Sequence, residues 1–140
     1  MKDKEILIRN RMEQAHVALQ EAEILRKNIS STLGSVNRAY YAMFYAVLAL
    51  LQQKEKVPRK HAGVIALFDA EFVRKGILPK KLSAHLHQAF ASRQESDYHA
   101  IEPVSLQEVD EIIQRASDFV QTAEAYLRGA FNGKESEDEQ

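Results

Sequence analysis

Residues 39–51 read Ala-Tyr-Tyr-Ala-Met-Phe-Tyr-Ala-Val-Leu-Ala-Leu-Leu, a run in which every side chain is apolar or aromatic. As an α-helix this run spans about 20 Å, which is too short to cross a bilayer. A helix that is apolar on all sides is normally surrounded by protein. We therefore expect a central buried helix over residues 32–53, with one of its flanks covered by a second subunit.

Segments on both sides of this helix carry apolar stripes with helical spacing. The first is predicted to be a helix over residues 4–27. The last follows a capping box made by Ser105 and Glu108. In both segments the apolar residues recur in alternating steps of three and four: Ile8, Met12, Ala15, Leu19 and Ala22 in the first, and Leu106, Val109, Ile113, Ala116, Val120, Ala123 and Leu127 in the last.

Turn signals divide the remaining chain into two shorter helices. Gly76 is a C-cap signal for a helix over residues 61–74, and Pro79 suits the first turn of a helix over residues 79–94. Residues 54–60 and 96–103 are predicted to be a loop and a linker. The sequence thus predicts an all-α bundle of about five helices.

Length and composition limit the class of protein. The chain has 140 residues, no cysteine, five glycines and three prolines, and its net charge is −1. The absence of cysteine excludes disulfides and thiol chemistry and suits a cytoplasmic protein. We expect one bundle domain over residues 1–130, an acidic disordered tail over residues 131–140, no signal peptide and no membrane partner.

Charge is distributed unevenly along the chain. Residues 54–81 hold eight basic and three acidic side chains, a local charge of +5. Such a segment attracts phosphates or an acidic partner, or it is a solvated surface.

The sequence contains no clear residue pattern for a metal site or for a catalytic triad of Ser, His and Asp. His85 and His87 are two residues apart, so they lie on different sides of a helix. His16, His61 and His85 are interpreted as partly exposed polar residues. We expect no metal ion and no cofactor.

Polar residues at the ends of the apolar helices are the candidates for function. Asn37 and Arg38 open the central helix, and Arg93 begins the polar stretch that closes the fourth helix. Buried polar groups need partners, so these residues either fix the packing or hold a ligand. In the first case Arg38 would pair with Asp97 or Glu95.

Three blocks of the chain give it a resemblance to the HEPN family (higher eukaryotes and prokaryotes nucleotide-binding). It resembles small stand-alone prokaryotic members over residues 4–128. The blocks are Ser35-Val-Asn-Arg-Ala-Tyr-Tyr-Ala-Met-Phe-Tyr45, then Arg93-x-x-x-Asp97-Tyr98, and finally Ala116-x-x-Phe119-Val120 with Tyr126-Leu127. The resemblance implies an all-α, up-and-down bundle that is dimeric and often encoded beside a small nucleotidyltransferase, and we expect the dimer to form through the second and fourth helices. Several members are metal-independent ribonucleases of toxin–antitoxin or antiviral systems, with an Arg-x(4–6)-His motif duplicated across the dimer interface.

Arg93 and His99 match that motif with five residues between them. The resemblance implies that His99 would move protons at the 2′-hydroxyl or the leaving oxygen, while Arg93 would stabilise the phosphorane. Two further matches, Arg9 and Arg11 with His16, lie inside the first helix. Gln94 departs from the catalytic form of the motif. So does the position two residues after His99, where Ile101 replaces the tyrosine that some members carry.

Three functional hypotheses remain open from the sequence. The first is a module that binds nucleotide or RNA and partners a nucleotidyltransferase in a toxin–antitoxin-like system. Its binding residues would be Asn37, Arg38, Arg93, Asp97 and Tyr98. The second is a metal-independent RNA endonuclease that uses Arg93 and His99 as catalytic residues, and the third is a purely structural dimer.

Overall fold

A computed structural model of the chain describes residues 2–28, 32–98 and 104–138. Within these ranges it describes the side chains of all but residues 2, 61, 62, 95–98 and 132–138. Five helices and no strand occur in this part of the chain, which confirms the predicted all-α class. They are α1 (Lys2–Lys27), α2 (Thr32–Gln53), α3 (His61–Phe68), α4 (Lys80–Tyr98) and α5 (Leu106–Asp138).

Helix α2 is the centre of the bundle, as the sequence predicts. It packs against α1, α3, α4 and α5. In the apolar run over residues 39–51, only Tyr41 and Tyr45 are partly exposed and the other eleven side chains are buried. The expectation that a second subunit covers one flank of α2 stays a prediction, and Tyr41 and Tyr45 are the residues of this run that keep exposed surface. Neighbouring helices of the same chain already cover most of this helix.

The third helix is shorter than predicted because it widens into a π-turn over Asp69–Val73. The Arg74 amide donates to the Asp69 carbonyl at 2.8 Å, five residues back rather than four. The wider turn carries Phe72, which is buried beside Phe68 with 5.9 Å between the ring centres. Gly76 then ends the segment with a φ of 72°, a left-handed conformation that suits glycine. The predicted C-cap is thus confirmed.

Two segments expected to be irregular are helical in the structure. Helix α4 continues to Tyr98, so residues 96–98 belong to its last turn and not to a linker. Helix α5 starts with the predicted cap, in which the Glu108 amide donates to Ser105 Oγ at 3.2 Å. It runs on to Asp138, through a region whose acidic composition predicts a disordered tail. Lys134, Glu135 and Glu137 in this region belong to residue types with high helix propensity.

A cluster of three lysines around one carboxylate ties the loop after α2 to the π-turn. Lys75, Lys56 and Lys54 place their Nζ atoms 2.7, 3.0 and 3.6 Å from the carboxylate of Glu71. Lys54 also donates to the Glu71 carbonyl at 2.9 Å. Hydrogen bonds from Lys75 and Lys56 lower the pKa of the Glu71 carboxyl to about 2.

We expect Glu71→Gln to destabilise the protein in a way that depends on pH. Because the pKa of Glu71 is lower in the folded chain, its ionised form contributes stability above the unfolded value of about 4.3. That contribution is lost as the pH falls through about 2. Urea midpoints of the two proteins should therefore differ at pH 7 and converge between about pH 4.3 and 2.

Glu55→Gln is the matched control for this prediction. Glu55 is 74% exposed and lies 3.8 Å from its single described partner, Lys4. This substitution should have little effect at any pH, because exposed ion pairs contribute little. A gap between wild type and Glu71→Gln that is equally wide at pH 2 and pH 7 would contradict the assigned role of the carboxylate.

Candidate functional site

The first half of α2 presents two adjacent tyrosines beside α4. Tyr40 is fully buried, and the ring of Phe90 from α4 lies 5.7 Å from its ring, centre to centre. The guanidinium carbon of Arg93 lies 5.3 Å from the centre of the Tyr40 ring and 5.1 Å from that of Tyr41. Both distances are within the range of cation–π attraction. Helix α4 thus places the Arg93 cation on a pair of aromatic rings.

Arg38 brings a second cation to the same tyrosine. Its guanidinium carbon lies 5.0 Å from the centre of the Tyr41 ring. The contact follows from helical spacing, because residues three apart lie on one face of a helix. Since both guanidinium groups are about 5 Å from one ring, they are at most about 10 Å apart. Arg38 and Arg93 are therefore close enough to contact one small anionic ligand together.

The charge of Arg38 is only loosely neutralised. Its Nη1 atom lies 3.7 Å from Oε1 of Glu21 on α1, which is an ion pair beyond hydrogen-bond distance. Its Nη2 atom donates to Asn37 Oδ1 at 3.4 Å. Ion pairs near the surface contribute about 0–1 kcal/mol. A phosphate group could replace Glu21 as the partner of Arg38 at little cost.

Arg93 has less neutralisation still. Among the side chains that the structure describes, no carboxylate lies within 4 Å of its guanidinium, and its buried Nε atom meets no acceptor. The buried hydroxyl of Tyr40 also lacks a partner there. Burial raises the pKa of Tyr40 to about 12 against the opposing charge of Arg93, so the phenol stays neutral. The result is a cationic site in which Arg93 Nε and the Tyr40 hydroxyl have no hydrogen-bond partner among the described residues.

The structure thus brings together three of the predicted binding residues, Asn37, Arg38 and Arg93. Asp97 and Tyr98 lie in the last turn of α4, and their side chains are not among those described. His99 lies outside the described residues. In the described part of the chain Arg38 pairs with Glu21, whereas the sequence suggested Asp97 or Glu95.

The sequence did not reveal that the two arginines contact the rings of Tyr40 and Tyr41. The spacing of Arg38 and Tyr41 along the helix could have revealed the contact between these two residues. The contact between Arg93 and the tyrosines joins two helices, and no local pattern indicates it. Glu21 was also missed, because α1 contributes it from outside the recognised motif.

A groove between α1 and α2, here called the α1–α2 groove, opens beside this cluster. It has a volume of about 490 Å³, within the range of small-molecule sites. Helix α2 contributes Arg38 and Tyr45 to its lining. Helix α1 contributes two amides, two carboxylates and one aliphatic side chain: Asn10, Gln14, Glu13, Glu21 and Val17.

The other sequence-based candidates have different partners. His16, which forms the alternative motif with Arg9 or Arg11, lies 2.5 Å from Glu124 on α5. Arg11 donates to Gln14. Three lysines of the basic segment surround Glu71, so part of the positive charge of that segment is paired with a carboxylate of the same chain.

Burial lowers the pKa of His85, and the positive charges of Arg115 and Lys81 lower it further. The described residues contain no group of three His, Cys, Asp or Glu side chains that could hold a metal ion. None of the helices in this part of the chain combines the length and apolar character that crossing a membrane requires.

The described part of the chain is an all-α bundle in which Arg38 of α2 and Arg93 of α4 contact the same tyrosine ring. A family model described as the HEPN domain matches residues 8–126. The chain belongs to the HEPN family, which confirms the resemblance seen in the sequence.

Relatives extend over most of the chain. A UPF0332 protein of Thermotoga maritima is 36% identical over 127 residues, which cover 91% of this chain and 96% of that protein. Two proteins of Methanocaldococcus jannaschii carry the name "putative toxin". One is 34% identical and covers 84% of this chain and 86% of its own. The other is 36% identical over 66% and 63% of the two chains.

Proposed function

We propose that this protein is a HEPN-type module that binds nucleotide or single-stranded RNA through phosphate contacts of Arg38 and Arg93. One observation carries the proposal. Two guanidinium groups share the Tyr41 ring, and only Arg38 has a carboxylate partner among the described residues, at 3.7 Å. Guanidinium groups suit this task because their planar fork matches phosphate oxygens.

We further propose that the module acts in a toxin–antitoxin-like system of the cytoplasm, with a small nucleotidyltransferase as its protein partner. Two relatives bear a toxin name, which supports the first part. The nucleotidyltransferase follows from what the family resemblance implies. A gene for such an enzyme beside that of this protein would support the pairing.

Binding of RNA is the direct test. A 3′-labelled, 5′-phosphorylated RNA strand of about ten nucleotides should bind with an affinity that falls as salt rises. The expected slope of log K against log salt is about −0.7 for each phosphate neutralised, so one or two contacts give about −0.7 to −1.4. Fluorescence anisotropy measures both quantities. Failure to bind at low salt, or affinity that is independent of salt, would contradict the proposal.

The same reactions, run with EDTA, separate binding from cleavage. A binding module leaves the strand intact at every protein concentration. The alternative, a ribonuclease that uses Arg93 and His99, would produce 2′,3′-cyclic phosphate ends without a metal ion. Cleavage that disappears in His99→Ala would favour that alternative.

We expect the protein to be a homodimer that uses the partly exposed parts of α2 and α4. Tyr41 of α2 and Phe90 of α4 are partly buried aromatic side chains on these two helices. Aromatic residues are enriched in subunit interfaces. Light scattering at micromolar concentration should give about twice the chain mass of 15.9 kDa. A mass of one chain would exclude the dimer and, with it, the purely structural alternative.

A further inference from the structure

We propose that the α1–α2 groove is a nucleobase subsite, so that the protein takes a single nucleoside monophosphate unit. The phosphate would lie on Arg38 and Arg93, and the base would lie in the groove. This inference rests on the proposed function and adds the class of ligand to it.

Arg38 connects the two parts of the site. Its guanidinium lies on the Tyr41 ring that also carries Arg93, and the same side chain lines the groove. A ligand with its phosphate on this guanidinium therefore lies at the edge of the groove. No hinge or segment needs to move to connect them.

The lining of the groove suits a base. Tyr45 is half-buried, and Val17, which is 47% exposed, faces the groove from α1. Together they offer an aromatic and an aliphatic surface for the flat face of a base. Asn10 and Gln14 add amides, which can donate to and accept from base edges.

The charge of the groove limits the base subsite to a single nucleotide unit. Glu13 and Glu21 lie on its α1 wall. Carboxylates repel phosphate, so a strand could not continue along this wall with its backbone close to it. Arg38 is the one basic residue in the lining, which favours one phosphate at the end of the groove and a neutral base inside it.

Isothermal titration with two matched probes tests the inference. Adenosine 5′-monophosphate and ribose 5-phosphate share the phosphate and the sugar, but only the first has a base. We expect the first to bind about tenfold more tightly, the factor of one base–aromatic contact. Tyr45→Ala should remove this advantage while leaving the affinity for ribose 5-phosphate unchanged. An unchanged affinity of the variant for ribose 5-phosphate also shows that the arginine site remains intact.

A second pair of variants avoids the aromatic cluster. Val17→Asn should weaken adenosine 5′-monophosphate several-fold. Ile24→Asn is the control, because Ile24 is 59% exposed, lies two turns further along the same face of α1 and is absent from the groove lining. If both variants behave alike, the groove is not the base subsite.

Three other outcomes have distinct meanings. Equal affinity for the two probes would overturn the base subsite and leave the phosphate site standing. If neither probe binds, both this inference and the proposed function fail. A 5′-phosphorylated tetranucleotide that binds better than the free nucleotide would identify an RNA end as the natural source. Equal binding of its 5′-hydroxyl form would overturn the single-nucleotide assignment.

Discussion

Arg93→Ala should weaken the binding of 5′-phosphorylated RNA by about 10- to 150-fold, which corresponds to the loss of a hydrogen bond to a charged group, about 1.5–3 kcal/mol. The effect should exceed that of Arg38→Ala, because Glu21 already offsets part of the charge of Arg38. The salt slope should become less negative by about 0.7 if Arg93 contacts one phosphate. Anisotropy titrations at several salt concentrations give both values.

Two further variants make this result specific. Arg93→Lys keeps the charge but loses the planar group that stacks on Tyr40 and Tyr41, so it should restore only part of the affinity. Arg115→Ala is the control, since Arg115 lies on α5 and donates to Gln88. Equal losses in the Arg93 and Arg115 variants would indicate a general effect of charge and contradict the site.

Phe68→Ala should lower the free energy of unfolding by about 3–5 kcal/mol, the cost of a large cavity in a packed core. The Phe68 side chain is fully buried, and its ring centre lies 5.5 Å from Phe119 of α5 and 5.9 Å from Phe72 of the π-turn. Its removal takes away the ring contacts that Phe68 makes with α5 and with the π-turn. Urea denaturation monitored by circular dichroism measures the loss.

Leu33→Ala is the matched control for this core variant. Leu33 is 46% exposed at the start of α2, and substitutions at such positions usually change stability by less than about 0.5 kcal/mol. If Phe68→Ala lowers the free energy of unfolding by less than about 1 kcal/mol, the truncation leaves no large cavity in the core. The packing described for α3 would then be incorrect.

Much of the fold could be predicted from the sequence because its helices have strong local signals. The apolar run gave α2 its observed limits, and Ser105 and Gly76 marked a start and an end that the structure confirms. The π-turn could not be predicted in this way. It serves to bury Phe72 beside Phe68, a requirement of tertiary packing that no spacing of three or four expresses.

The candidate site could be predicted only in part, for the same physical reason. Asn37 and Arg38 stand out as polar residues on a helix that is otherwise apolar. The contact of Arg93 with Tyr40 and Tyr41 depends on how α4 packs across α2, and the periodicity of the sequence does not determine this packing. The partnership of Arg38 with Glu21 likewise depends on the packing of α1.

The aromatic support of the two arginines has a consequence for proton linkage. Guanidinium groups stay charged throughout the physiological range, and Tyr40, with its pKa near 12, stays neutral. Glu21 is the carboxylate that pairs with Arg38, and the aromatic rings hold both cations without exchanging protons. Carboxylates ordinarily titrate well below pH 6, so among the described groups of this cluster a change in affinity near pH 6 would come from the second ionisation of the bound phosphate. The affinity would then depend on the charge of the phosphate group of the ligand.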